Sequence, residues 1–566
     1  MIFYEKLLQS ALICDSFILP FDFNGFPWKS ADERRNSNVW ISKFLLHFTM
    51  YCALINVLKK EGSVTQMNLI EQQETPLFAA LRKYMDENTI SFHVPGHKGG
   101  RGIPEFQEFV GKSILAIDVT AGILEMDTVC NPLGVIREAE QLAAQAFGAD
   151  SAHFLVNGTT AGIQAMILAV ANPGDEIILP RNAHRSAVGG LILSGARPIY
   201  IEPVIDDYMG IAMGITPESV RKALVEHPNA KAVFVINPTY YGVASDLKEI
   251  VKIAHSFDKP VIVDEAHGAH FGFSPNLPLS AMEAGADMSA ASVHKLIGSM
   301  TQSSILLVKS DLIDDRKVKA AMNLTQTTSP SYPLMASLDV ARKQMAINGK
   351  AMLDKTIKLC ETARKKLNRI DGIYVMGRDV EGSEGCYAYD QTKLAINVRE
   401  LGLSGFEMEK MLRYGYHIAV ELSDLYNVLA VGAIGDNEES LDALVKAVDD
   451  IAKNHSRKNV VKITCDLPES QELVVSPRFA FYSEKREVLL EDAKGEISAE
   501  MLMAYPPGIP IICPGERITD HVIEYAKALN QEGCHLQGTE DPQAKVIKVL
   551  ADKNAEEYYR KMVRVV

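Results

Sequence analysis

Between residues 175 and 308, short apolar runs rich in β-branched residues recur, each bounded by Gly, Pro or Asp. They are EIILP within 175–180, RPIYIEP at 197–203, KAVFVIN at 231–237, PVIVD at 260–264 and SILLV at 304–308. Such runs read as strands buried on both faces. The intervening stretches at 159–171, 217–227 and 245–257 have helical periodicity, and Ser245 and Asp246 offer caps for the last. Strand, helix and strand in succession require right-handed crossovers, so a mostly parallel sheet covered on both faces is expected.

After residue 330 the rhythm changes. A long helical segment covers about 333–369, and strand-like pieces follow near 392–398 and 428–434, as in a smaller α+β domain. A polar stretch at 456–470 marks a boundary, and the proline-dense run YPPGIPIICPGE at 505–516 must be a loop or sheet edge, because proline cannot donate to a ladder. The expected organisation is an N-terminal extension at 1–66, a large domain at 67–330, a small domain at 331–455 and a C-terminal domain at 456–566.

Charge narrows the function. With 58 Lys and Arg against 72 Asp and Glu the net charge is −14, so no basic field exists to attract nucleic acid or anionic lipid. Eight cysteines form neither a CxxC pair nor a Cys/His cluster at metal spacing, which fits a reducing cytoplasm. FLLHFTMYCALINVL at 44–58 is short of the roughly 20 residues that cross a bilayer. Lys60-Glu61-Gly62 can be encoded by a purine-rich run resembling a ribosome-binding site, so translation is expected to begin at Met67. A docking helix or a membrane anchor are the competing readings of that segment.

Three features bear on chemistry. VNGTTAG at 156–162 sets Gly158, Thr159 and Thr160 where a strand turns into a helix, a position whose free N–H groups cup an anion, although Gly and Thr at a helix start are more often only a turn and a cap. In VIVDEAHGAH at 261–270, Asp264 follows a strand buried on both faces and needs a cationic or hydrogen-bonding partner, unless it merely caps the next loop. His267 and His270 have no further ligand at suitable spacing, so no metal is expected. SVHKLIGSMTQSS at 292–304 holds Lys295 among small hydroxyl residues. A surface lysine would snorkel there, whereas a buried one with a lowered pKa forms a Schiff base. Together an anion cup, a carboxylate and an amine answer three separate needs of pyridoxal phosphate.

These stretches, with SFHVPGHKGG (91–100), PRNAHRS (180–186), NPTYYGV (237–243), QTTSPSYPLMASLDVAR (326–342) and YPPGIPIICPGE (505–516), resemble those of the Orn/Lys/Arg decarboxylase family, over about residues 74–566. The nearest resemblance is to its short bacterial arginine decarboxylases, which have no wing domain. It implies a PLP-dependent α/β fold like that of aspartate aminotransferase, with a small α+β and a C-terminal α+β domain. It further implies that Lys295 carries the cofactor, Asp264 pairs with its ring nitrogen, His184 stacks on the ring and His267 lies near the phenolic oxygen. Gly158, Thr159, Thr160, Ser292 and His294 would contact the phosphate, and Thr327 or Thr328 would reach it from a neighbouring subunit of a homodimer or higher homo-oligomer with shared sites. Glu516 is expected near the substrate entrance, meeting a cationic side chain, while His97 and Lys98 belong to a motif without an assigned role.

The implied reaction is decarboxylation of a basic L-amino acid, with arginine ahead of lysine or ornithine, His184 or Lys295 returning the proton, and polyamine biosynthesis as the setting. The loop MDTVCNPLG at 126–134 departs from the commoner family pattern at Thr128 and Cys130, which bears on substrate choice. An aminotransferase or aldolase is the alternative within the same chemistry, and a binding protein with a degenerate site the alternative outside it.

Overall fold

In the computed structural model the described residues are 71–455, 471–505, 509–531 and 533–563. The readings of residues 1–66 and of the 456–470 boundary lie outside them. Among the described residues no helix is long and apolar enough to cross a membrane.

The chain enters through helix α1 (Pro76–Asp86), whose Thr75 gives no side-chain cap. Asp339 does that job from a distance, accepting from the Leu77 and Phe78 N–H groups at 3.1 and 3.3 Å. Arg342, itself buried, holds Asp339 at 2.7 Å and donates to the Gln72 and Glu74 carbonyls. The large sheet is then built in alternation: β1 (Ser151–Leu155), α2 (Gly158–Val170), β2 (Glu176–Pro180), α3 (Arg185–Ser194), β3 (Arg197–Ile201), α4 (Pro217–Glu226), β4 (Ala232–Ile236), α5 (Leu247–His255), β5 (Val261–Asp264), β6 (Met288–Ala291), the one-turn helix α6 (Val293–Leu296) and β7 (Ser304–Val308). Asp246 caps α5, accepting from the Glu249 N–H at 3.1 Å, as its position promised.

The strand order is β1-β7-β6-β5-β4-β2-β3. Only β7 runs against its neighbours, pairing antiparallel with both β1 and β6, while β2, β3, β4, β5 and β6 pair in parallel. Every residue of β4 to Val235, and all of β5, β6 and β7, is buried, as strands covered on both faces must be. Two strands were not expected from pattern. SAHFL of β1 carries a mid-strand histidine, and MSAA of β6 has no β-branched residue, so their pairing with β7 decides what propensity does not.

The long helix α7 (Tyr332–Leu367) leads into a second sheet of β8 (Tyr374–Val375), β9 (Lys393–Asn397), β10 (Leu422–Ser423) and β11 (Asn427–Val431), in the order β8-β9-β11-β10. Val243–Ala244 of the first region pairs antiparallel with Ala388–Tyr389 of the second, stitching the two next to the site described below. Beyond residue 470, β12 (Lys485–Leu489) pairs with β16 (Val546–Leu550), and β13 (Leu502–Tyr505) lies between β14 (Ile509–Ile512) and β15 (His535–Gln537). The proline-dense run thus supplies β14, which is an edge strand.

Glu265, the residue after β5, is 2% exposed and accepts from the Ala281 N–H at 2.7 Å and the Ser289 hydroxyl at 2.6 Å. Burial pushes its carboxyl up to about 8, against a reference of 4.5. Between those values the folded chain holds a proton that the unfolded chain has lost, so this stability is present at low pH and lost as pH rises through about 8. Glu265→Gln keeps the shape and the bond from the Ala281 N–H, while its NH2 donates to the Ser289 oxygen in place of accepting from it. Its unfolding free energy relative to the parent is expected to be larger under alkaline than under mildly acidic conditions, by about 1 kcal/mol or more. Parallel stability profiles in denaturant titrations would contradict this.

Candidate active site

The ends of β4, β5 and β6 and the starts of α2, α3 and α6 meet around a cavity of about 360 Å³, the place where an open α/β sheet collects its ligands. Its lining includes Gly158, Thr159, Thr160, His184, Asp264, His267, Ser292, His294 and Lys295, nine residues singled out from sequence.

At one end is the start of α2. Gly158 has φ +72°, a left-handed backbone open to glycine, and Asn157 makes no side-chain cap, so the first-turn N–H groups of a 13-residue helix face the cavity unclaimed. Thr159 is fixed from below: its hydroxyl bonds to those of Ser292 and, at 3.0 Å, Ser304. His294 Nδ1 lies 2.8 Å from the Ser303 carbonyl, which orients its ring. A tetrahedral anion suits this set of donors.

Elsewhere on the lining Asp264 is 6% exposed, and the Ala266 N–H, at 3.1 Å, is the one hydrogen-bond donor to its carboxyl among the described residues. Burial raises its pKa, with Lys295 opposing. A carboxylate so enclosed calls for a cation, and a protonated ring nitrogen is of the right kind. Lys295 Nζ sits 2.8 Å from His267 Nε2 and 5.2 Å from the centre of the Tyr240 ring. Burial lowers the pKa of Lys295 and, joined by the Lys295 charge, holds His267 well below the usual imidazole range. The amine is therefore poised as a nucleophile, as carbonyl chemistry requires. His267 Nδ1 is buried without a partner among the described residues.

His184 is the cap of α3. Its Nδ1 accepts from the Ser186 N–H at 3.3 Å and lies 2.8 Å from the Ser186 hydroxyl, which leaves Nε2 to carry the proton. Burial and the Lys295 charge bring it down to about 4, so it stays neutral near pH 7. Anion cup, a wall that includes His184, enclosed carboxylate and a buried lysine of lowered pKa together fit a phosphorylated pyridine aldehyde.

Two expected residues lie elsewhere. Thr328 is exposed and does not line the cavity of its own chain, whose neighbouring stretch is instead fixed by Gln326 bonding to Val156 and Phe154. Glu516 is corrected: it is 0% exposed, does not line the cavity, and its cation is Arg181 of this same chain, at 3.0 Å. The Cys513 N–H also bonds to it, at 2.7 Å, so its charge ties the C-terminal region to the end of β2. His97 pairs with Asp118 at 3.1 Å, and Lys98 donates to the His93 carbonyl, both outside the cavity. Of lining residues not singled out from sequence, Tyr240 matters most: its ring centre is 4.3 Å from that of His267. It stands in NPTYYGV directly after β4, a strand end facing the same cavity as Asp264, and that position was its only signal.

Comparison with known proteins agrees with this geometry. A family model described as Orn/Lys/Arg decarboxylase, major domain, matches residues 75–440, and one for the C-terminal domain of the same family matches 467–564. The chain is 48% identical to an arginine decarboxylase of Bacillus subtilis over 489 residues, 86% of this chain and 100% of the relative. Identity to an arginine decarboxylase of Bacillus anthracis is also 48%, over 86% and 99% of the two chains. The inducible lysine decarboxylase of Escherichia coli is 27% identical over 82% and 78%. Among solved structures, a Francisella novicida lysine decarboxylase superposes with TM-score 0.74 at 23% identity, covering 84% of this chain and 81% of its own. The fold is thus that of the PLP-dependent decarboxylases, and with matches to both of its domains the chain belongs to the Orn/Lys/Arg decarboxylase family.

Proposed function

We propose that this protein converts L-arginine to agmatine and CO2, a step that feeds polyamine biosynthesis. The observation that carries the chemistry is the pair of enclosed groups on the cavity lining, Asp264 with a single hydrogen-bond donor and Lys295 in contact with His267. Arginine is favoured over lysine and ornithine because relatives sharing about half their residues over nearly the whole chain are arginine decarboxylases, whereas a lysine decarboxylase is only 27% identical.

Pyridoxal phosphate, when bound, supplies an electron-accepting ring for the electron pair of the breaking bond. In this reading Gly158, Thr159, Thr160, Ser292 and His294 bind the phosphate and fix the cofactor's position. Lys295 is the amine that attaches its aldehyde, and His184 covers one face of the ring. Asp264 keeps a proton on the ring nitrogen, an electrostatic contribution larger in the transition state than in the ground state. Neutral His184 keeps its Nε2 proton, whereas burial lowers the pKa of Lys295 and makes its ammonium form a stronger acid, so Lys295 is the better donor of the proton that replaces the carboxylate at Cα.

The cofactor site belongs to the 67–330 region, with 331–455 and 456–566 as the small and C-terminal domains. A homodimer with shared sites, to which Thr328 contributes, is supported by the apolar side chains that this single chain leaves in solvent: Phe92, Phe109, Leu124 and Leu133 are 73–98% exposed. A cytoplasmic setting suits a chain without a basic surface field or a disulfide pattern.

The test is to incubate the protein with arginine, lysine and ornithine separately and to measure CO2 and the amine formed. Agmatine and CO2 from arginine, at much the highest kcat/KM, is the expected outcome. Preference for lysine or ornithine would overturn the substrate, and keto-acid formation without CO2 would overturn the reaction. Lys295→Ala should abolish turnover, and Asp264→Asn should lower kcat by roughly 10²–10³-fold. A near-normal rate in either variant would refute the assigned role.

A further inference from the structure

Beyond His267 along the same turn lies a group of ionisable side chains that the chemistry above leaves unused. Asp390, Lys393 and His270 all have side chains sealed from solvent. Lys393 Nζ donates to Asp390 Oδ2 at 2.7 Å, and His270 Nε2 lies 3.1 Å from the same oxygen. Asp390 Oδ1 is fully engaged by Thr392, through its N–H at 3.0 Å and its hydroxyl at 2.7 Å. Stability does not demand such an arrangement, because apolar residues of similar volume commonly replace a buried ion pair without loss.

The pair touches the site by two routes. His270 is three residues from His267 on the turn after β5. On the other side Lys393 packs against the backbone of Gly242: a Cβ there would lie 2.8 Å from Lys393 Cγ, and Gly242 has φ +93°, so this position accepts only glycine. Two residues before it is Tyr240, whose ring leans on His267. The charges that bear on Lys295 are Asp264, Glu421 and Lys393, and those that bear on His267 are Lys295, Lys393, Asp390 and His270. Of the pair's two members, Lys393 opposes the protonation of Lys295, and both act on His267.

We propose that the Asp390–Lys393 ion pair is a positioning element for the Lys295–His267 contact, braced against His270 and Gly242, with its cationic end opposing a further positive charge at Lys295. This rests on the reading of Lys295 as the cofactor's amine. Neither residue touches the cavity, so both act through others.

Two double variants that leave no charge unpaired test it in the full-length, cofactor-loaded protein. Asp390→Asn with Lys393→Met removes the pair. Asp390→Lys with Lys393→Asp reverses it. The visible absorption of the bound pyridoxal phosphate is titrated against pH, with thermal melting as the check on folding. The midpoint is expected to rise by up to roughly one pH unit in the neutral pair and further in the reversed one. A purely structural role would alter melting and leave the midpoint unmoved. An unchanged or lowered midpoint in either folded variant overturns the proposal. Should the reversed pair fail to fold, the neutral pair decides alone. If the parent takes up no pyridoxal phosphate, the cofactor reading fails, and the pair is then tested by acetylation of the Lys295 amine, followed by mass spectrometry of its peptide. Slower labelling at fixed pH in the neutral pair supports the proposal, and equal or faster labelling overturns it.

Discussion

The contact between Lys295 Nζ and His267 Nε2, at 2.8 Å, requires that the two nitrogens not both be charged, and the burial of both favours that. Two nitrogen bases, each cationic on its own in water at the right pH, would repel at that distance if both were charged. Taking them out of water disfavours the charged form of each, and the carboxylate with the largest influence on Lys295, Asp264, is itself enclosed rather than solvated. The sheet provides the enclosure: β5 and β6 are neighbours in parallel register, with Asp264 opposite Ala290, so the carboxylate at one strand's end and the lysine just past the other's come to one place.

The same logic extends outward by layers. Thr159, Ser292 and Ser304 bond among themselves, so the anion cup is shaped before an anion arrives. Ser186 fixes the tautomer of His184. Further out, Asp390 with Lys393 and Glu516 with Arg181 are charges paired inside the protein; the first pair is three residues apart and the second joins segments far apart in sequence. Ion pairs in such places contribute little to net stability, but the loss of one partner is costly, which makes them devices for holding one arrangement rather than many. Asp339 and Arg342 act in the same way on the segment that enters the fold, where a buried pair replaces an ordinary helix cap.

What sequence could and could not disclose follows from the range of the forces involved. Buried parallel strands such as VIVD are near-continuous apolar runs, and helices such as α5 announce themselves by cap and period, so both were legible. MSAA of β6 was not, because only its neighbours make it a strand. Motif order identified nine lining residues of the cavity, since each stands at a strand end or helix start whose place the topology dictates. Glu516 was misread: a lone carboxylate in a proline-dense run carries no sign that Arg181, 335 positions away, is its partner. Lys393 was read merely as the opening residue of a strand, and Tyr240 as part of a motif, because the contacts that give them meaning cross between regions.

The central claim is that one buried lysine, sharing a cavity with one enclosed carboxylate, is where this chain takes up its cofactor. Borohydride reduction of the protein loaded with pyridoxal phosphate, followed by proteolysis and mass mapping, addresses that claim directly. The account predicts a single stable adduct, on the peptide that contains Lys295. An adduct spread over surface lysines, or one fixed at another position while Lys295 remains free, would contradict it.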